Sequence, residues 1–173
     1  GTAMILDRAT CRLPGIGDLD TVCSDRGIAA VAFPGHGDGE NLAPWLAAGW
    51  TIRAKRGDLH RRFAEECRRL ADGDLRRFTL PVDHRWLPPV LAAILRALRQ
   101  VPAGTTVTYG DLADRAGHPR AARAAGLAMR RNPTPVVVPC HRVVASTGIG
   151  GFTPGLDLKR RLLALERGRK TDT

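Results

Sequence analysis

A mixed α/β fold of the α+β kind is predicted: a small N-terminal sheet-plus-helix domain over residues 4–83, then a mainly helical C-terminal domain over 88–173. Three observations predict it. Short β-type runs fill the first half, apolar residues recur at helical spacing in the second, and Pro81, Pro88 and Pro89 punctuate residues 79–89 between them.

In the first half, residues 17–24 and 26–33 read as two strands around the turn Ser24-Asp25-Arg26-Gly27, and 51–55 reads as a third. Residues 35–39, behind Pro34, form a glycine-rich loop. Residues 58–72 read as a helix, because Leu59, Phe63, Cys67 and Leu70 share one stripe and Asp58 stands near its start. Trp45, Trp50 and Phe63 are expected to pack, and nothing in this half points to chemistry.

From Pro89 the pattern turns helical. Val90, Leu91, Ile94, Leu95 and Leu98 form an amphipathic stripe that ends before Pro102. Thr108-Tyr109-Gly110-Asp111-Leu112-Ala113, then Gly117-His118-Pro119, then 120–131 read as short helix, tight turn and second helix: a helix-turn-helix. Thr108 is expected to cap the first helix and His118-Pro119 to open the second. On the second, Arg120, Arg123, Leu127, Arg130 and Arg131 fall within roughly a 100° arc. Beside them lie Ala121, Ala122, Ala124, Ala125, Gly126, Ala128 and Met129. A basic stripe among small side chains suits a DNA groove, including the narrow minor groove. It suits equally a solvated arginine face packed through alanines onto its own domain.

Charge is distributed unevenly along the 173 residues. Lys+Arg number 27 against 17 Asp+Glu, a net of +10. Residues 1–85 carry 13 basic and 12 acidic groups, whereas 86–173 carry 14 and 5. An excess confined to one half suggests a polyanion-binding face. Codon bias toward arginine would raise basic residues throughout but would not remove acids from the second half. No apolar run approaches the roughly 18 residues of a membrane helix, and no basic-then-apolar leader opens the chain. Gly1-Thr2-Ala3 before Met4 reads as an expression scar. Secreted and membrane-spanning classes are thereby disfavoured, and a cytoplasmic protein is expected. Cys11, Cys23, Cys67 and Cys140 form no CxxC pair, which predicts free thiols in a reducing compartment. Zinc held by Cys11, Cys23 and a distant histidine finds no support in the spacing.

Asn132-Pro133-Thr134-Pro135 ends the second helix, and Val136-Val137-Val138 reads as a buried run leading to Pro139-Cys140-His141-Arg142-Val143. A turn start and adjacent His or Arg lower a thiol pKa and favour a nucleophilic thiolate. A core cysteine between valines fits the same residues, and both readings stay open on this segment alone.

Pro139-Cys140-His141-Arg142-Val143 resembles the active-site signature of the O6-alkylguanine-DNA alkyltransferases. The resemblance runs from about 101 to 166, with register kept from Tyr109 to Gly148. It includes Ala121-Ala122-Arg123-Ala124 and Met129-Arg130-Arg131-Asn132-Pro133. Beyond Gly148 the chain is one residue shorter than familiar members; its glycine-rich loop 148–155 leads to Leu162-Leu163-Ala164-Leu165-Glu166.

The resemblance implies a methylated-DNA–protein-cysteine methyltransferase: a monomer that acts on duplex DNA carrying O6-alkylguanine and works once, without metal or cofactor. It implies that the second helix enters the minor groove through Arg120, Ala121, Ala122, Arg123 and Arg130, with Arg123 filling the gap left by a flipped base. Cys140 would be the nucleophile, activated through a water by His141 and Glu166. Tyr109 would protonate base N3, and Asn132 would brace the turn. Val143 N–H and the Thr153 hydroxyl would hold the O6 edge, with Met129, Pro135 and Phe152 completing the pocket. Departures from the family are Val90 and Leu95 for the usual Phe and Trp, expected to repack the core, Pro154 for a loop glycine and Phe152 for Tyr. The N-terminal half matches only loosely. Two other classes compete: a lesion-binding sensor, disfavoured by the presence of Cys140, and a Cys-His hydrolase, disfavoured by the basic half.

Overall fold

The computed structural model describes residues 4–167. In order they form β1 (Ile5–Leu13), β2 (Gly17–Cys23), β3 (Ile28–Ala32), α1 (Gly39–Ala47), β4 (Thr51–Ala54), α2 (Asp58–Asp72), α3 (Pro89–Leu98), β5 (Val107–Thr108), α4 (Tyr109–Arg115), α5 (Ala122–Arg130), a 3-10 turn Cys140–Arg142, β6 (Val143–Val144) and α6 (Leu156–Arg167).

The first four strands make one sheet in the order β3-β2-β1-β4, with β1 antiparallel to β2 and parallel to β4. Alternation along the strands covers both faces. Cys11, Leu13 and Leu19 pack with Phe63, Cys67 and Leu70 of α2, while Leu6 and Val22 pack with Leu42, Trp45 and Trp50. The expected hairpin closes with Ser24 N–H donating to Gly27 O at 2.9 Å. A Cβ on Gly27 would stand 2.7 Å from Pro81 O, so glycine there lets the segment 81–83 lie against β3. Two backbone hydrogen bonds hold it, Ile28 N–H to Pro81 O and Asp83 N–H to Ile28 O.

Neither β1 nor α1 follows from the reading above. β1 does alternate, with Ile5, Ala9, Cys11 and Leu13 on one side, but charged residues interrupt it. α1 starts at a glycine and carries Pro44 inside, two residues that argue against a helix on local grounds.

The C-terminal half packs α3, α4 and α5 around Leu91, Ile94, Leu95, Leu112, Ala125 and Ala128, with Val138, Cys140 and Val143 in the same cluster. Leu95 is core, but Val90 is 41% exposed and repacks nothing. The main core is not confined to one half, because Val136, Val137 and Leu162 join the cluster under α2. Thr108 caps α4, its Oγ1 accepting from Asp111 N–H at 3.2 Å. The second helix starts later than expected. Gly117 (φ 81°) and Arg120 (φ 66°) are both left-handed, which a right-handed helix cannot continue through. His118-Pro119 therefore lies in the turn, and Arg120 and Ala121 precede α5. The exposed residues of α5 itself are Ala122, Arg123, Leu127 and Arg130.

Two short parallel strands, β5 and β6, set Val107 opposite Val143. Tyr109 follows the first directly and Cys140 precedes the second, so this pairing brings them to one site.

Candidate active site and nucleic-acid interface

Cys140 opens the 3-10 turn after the valine run and is 7% exposed, where it lines a cleft of about 1110 Å³. Tyr109, Ala122, Arg123, Met129 and Arg130 line that cleft from α4 and α5; Asn132, Pro135, Phe152, Thr153 and Pro154 line it from the segments around the cysteine. Gly126 and Gly151 also line it, and a further wall comes from the N-terminal half, residues 31–33 and 36–41. The sequence offered no hint that this half takes part. Arg120, Ala121 and Val143 do not line the cleft. Val143 is fully buried, and its N–H is given to Cys140 O, so it is not free for the edge of a base.

His141, the residue after the cysteine, and Glu166 are each 1% exposed. His141 Nε2 is 2.7 Å from Glu166 Oε1. Arg142, also 1% exposed, donates from Nε and Nη2 to Glu166 at 3.0 and 2.7 Å, and from Nη1 to Val101 O at 2.7 Å. Burial works to raise the Glu166 pKa, but His141 and Arg142 outweigh it and hold the carboxylate well below its usual range. Burial depresses the His141 pKa more than Glu166 raises it, so the ring is neutral at neutral pH. Facing a carboxylate, Nε2 carries the proton. Nδ1 is then a free base; it is buried with no hydrogen-bond partner among the described residues.

The cysteine does not behave as its neighbours suggested. Burial pushes the thiol up to about 11, against the opposing pull of Asn132, local backbone N–H groups and Lys159. At rest it is a protonated thiol, and it needs a base to become a nucleophile.

Asn132 donates from Nδ2 to Val138 O at 2.9 Å and accepts Thr134 N–H at 3.0 Å, tying the end of α5 to the segment before the cysteine. Gly150 sits at φ 75°, where a Cβ would lie 3.0 Å from Ala145 N and 3.3 Å from Tyr109 Oη, so any side chain there would be strained and would crowd Ala145 and Tyr109. Lys159, fully buried, donates from Nζ to Val143 O, Ile149 O and Gly151 O at 2.7, 2.6 and 3.0 Å. Sequence reasoning missed Lys159 and the role of Arg142. Lys159 had a signal, since with Leu162, Leu163 and Glu166 it shares the buried face of α6 at i, i+3, i+4, i+7. Arg142 had none beyond its place in the signature. Among the described residues, no group of three or more His, Cys, Asp or Glu side chains could hold a metal.

Stability should fall with mild acid. Burial and nearby Arg99 and Arg96 push His84 down to about 4, and His141 is shifted the same way. Between about pH 6.5 and 4 the unfolded chain takes up protons that the folded one refuses, so this stabilisation is present above pH 6.5 and lost as pH drops. The His84 share is at most about 3 kcal/mol. Urea midpoints at pH 7.5 and 5.0 should differ, and His84→Gln should narrow the gap; an unchanged gap would contradict this assignment.

Fold and site together define a class: a helix-turn-helix protein whose second helix borders a cleft lined by a cysteine, with a buried histidine–carboxylate pair beginning at the next residue. Comparison with known proteins agrees. Residues 89–168 match the family described as 6-O-methylguanine DNA methyltransferase, DNA binding domain. A methylated-DNA–protein-cysteine methyltransferase of Methanopyrus kandleri is 53% identical over 74 residues, covering 42% of this chain and 54% of that protein. One of Mycolicibacterium paratuberculosis is 46% identical over 96 residues, 55% and 58% of the two chains. The chain thus spans little more than half the length of these relatives. The structure of Mycobacterium tuberculosis O6-methylguanine methyltransferase superposes with a TM-score of 0.76 at 28% identity, over 95% of this chain and 94% of that one. The same mycobacterial OGT in complex with DNA gives 0.75 at the same identity and coverage. Residues 89–168 are thus similar to the DNA-binding domain of the 6-O-methylguanine DNA methyltransferases, and the described fold as a whole superposes on solved structures of such proteins.

Proposed function

We propose that this chain repairs alkylated duplex DNA, moving an alkyl group from guanine O6 to Cys140 once per molecule. The observation that carries the reading is Cys140 lining a cleft roomy enough for a nucleobase, next to a buried His141–Glu166 pair whose Nδ1 is unpartnered. The relatives' names, and the DNA bound to the mycobacterial neighbour, support it.

The chain acts as a monomer, in the cytoplasm, from the minor-groove side. Among the described residues no helix is long and apolar enough to cross a membrane. α5 lies along the groove with Arg123 and Arg130 outward. The damaged guanine rotates into the cleft and Arg123 fills its place, offsetting an unstacking cost of a few kcal/mol. His141 Nδ1, through one bridging water, takes the thiol proton; Glu166 stabilises the imidazolium that forms. Sulfur attacks the alkyl carbon in line, the S–C bond forming as the C–O6 bond breaks. The guanine anion takes its proton at N3 from Tyr109. The product thioether has no hydrolytic route back, so turnover stops at one.

Incubation with an O6-methylguanine duplex should add one methyl group, about 14 Da, to the Cys140 peptide at 1:1 stoichiometry. Cys140→Ala should bind the duplex with no mass change. Tight binding by the unaltered protein with no mass shift would make it a lesion sensor instead, and repeated turnover would make it a hydrolase. Arg123→Ala should slow repair of duplex roughly tenfold or more while leaving reaction with free O6-benzylguanine within about twofold. Equal losses on both substrates would remove the gap-filling role.

A further inference from the structure

Two contacts from the N-terminal half converge on residues 133–134, beside Asn132. Val31 N–H donates to Pro133 O at 2.8 Å. His84 Nε2, on the linker, lies 2.8 Å from Thr134 Oγ1. Thr134 is fully buried, and its Oγ1 is 3.4 Å from Asn132 Oδ1. Asn132 then donates to Val138 O, the carbonyl that also takes Cys140 N–H at 2.8 Å. His84 is itself anchored by its neighbours. Asp83 accepts from Ser24 and Arg85, and the Arg85 guanidinium lies 4.8 and 4.9 Å from the ring centroids of Trp45 and Trp50.

We propose that His84 and Thr134 are positioning residues for Asn132, through which the N-terminal domain holds the cysteine segment in place. The proton inventory supports a single arrangement. Asn132 Oδ1 only accepts, and the Thr134 hydroxyl has one proton. Thr134 therefore donates to Asn132 and accepts from His84 Nε2–H. That fixes which end of the Asn132 amide faces Thr134, and it leaves the NH2 group turned toward Val138 and the cysteine. A flipped amide would set its oxygen against the Val138 carbonyl and its NH2 against a Thr134 N–H, leaving buried groups unmatched. Neutral His84, kept so by burial and Arg99, serves this role without placing another cation near Asn132.

The consequence for alkyl transfer rests on the proposed function, but the brace can be read without it. Cys140 alkylation should be followed by peptide mapping with two reagents, free O6-benzylguanine and iodoacetamide. Thr134→Val and His84→Leu should each slow both reactions about fivefold, as expected for one buried hydrogen bond. Thr134→Ser and His84→Gln, which keep a hydroxyl and an N–H donor, should stay within about twofold. The double variant should be no slower than Thr134→Val, and duplex affinity should not change. Wild-type rates in Thr134→Val, no rescue by serine, or losses that multiply in the double variant would each overturn the proposal. Should Thr134→Val fail to fold, the His84→Leu and His84→Gln pair decides the matter in the same way. If the unaltered protein ignores O6-benzylguanine while the iodoacetamide series behaves as expected, the transfer reading fails and the brace stands.

Discussion

Glu166→Ala should slow transfer roughly 10³-fold or more and destabilise the fold by about 3–5 kcal/mol. Both losses have one origin. Glu166 orients His141 and also neutralises Arg142, which is 1% exposed and whose guanidinium has, among the described residues, only Val101 O as a further partner. Removing the carboxylate strands a buried cation, which costs far more than the pair contributes when complete. Chemistry and stability can be separated by replacing both charges. Glu166→Leu with Arg142→Met should regain much of the stability, because apolar groups of similar volume tolerate the dry site, and should regain none of the transfer rate. Urea unfolding and single-turnover kinetics read the two effects. A Glu166→Ala protein as stable as the original would mean that Arg142 reaches solvent, contrary to its burial.

Lys159→Met should slow transfer about 100-fold and destabilise by about 3 kcal/mol, since three carbonyls lose a charge-assisted donor together. Those carbonyls belong to Val143, Ile149 and Gly151, so one ammonium ties the end of the cysteine segment to the loop facing it. Lys159→Arg should not rescue, because a planar fork cannot serve three carbonyls converging on one point. Hydrogen exchange should speed up in residues 148–155 and not in α2. Full protection of that loop in Lys159→Met would refute the pinning role.

Much of the architecture was legible because it is written in short-range periodicity. α2 spans the residues its stripe marks out, and the β2–β3 hairpin falls on its turn signal. α1 was hidden by Gly39 and Pro44, residues whose local cost is offset by burying Leu42 and Trp45. The start of α5 was misread because the left-handed backbone of Arg120 leaves no mark in residue type. In the site, the resemblance pointed to Cys140, Asn132 and Tyr109, and all three line one cleft, while His141 is buried against Glu166. The wall formed by residues 31–33 and 36–41 stayed invisible, since pairing two halves far apart in sequence has no local pattern.

Sequence alone therefore determined which atoms are available: a thiol beside an imidazole, a lone tyrosine, a basic helix with small neighbours, and an acid-poor second half. Only the folded chain decided their state. Desolvation outweighs neighbouring positive groups and keeps the thiol protonated. The same burial makes Glu166 dependent on Arg142, and it turns Lys159 from a surface charge into a clamp. Proton affinity depends on how much water each group keeps and on which partners replace the rest, and both are properties of three-dimensional packing.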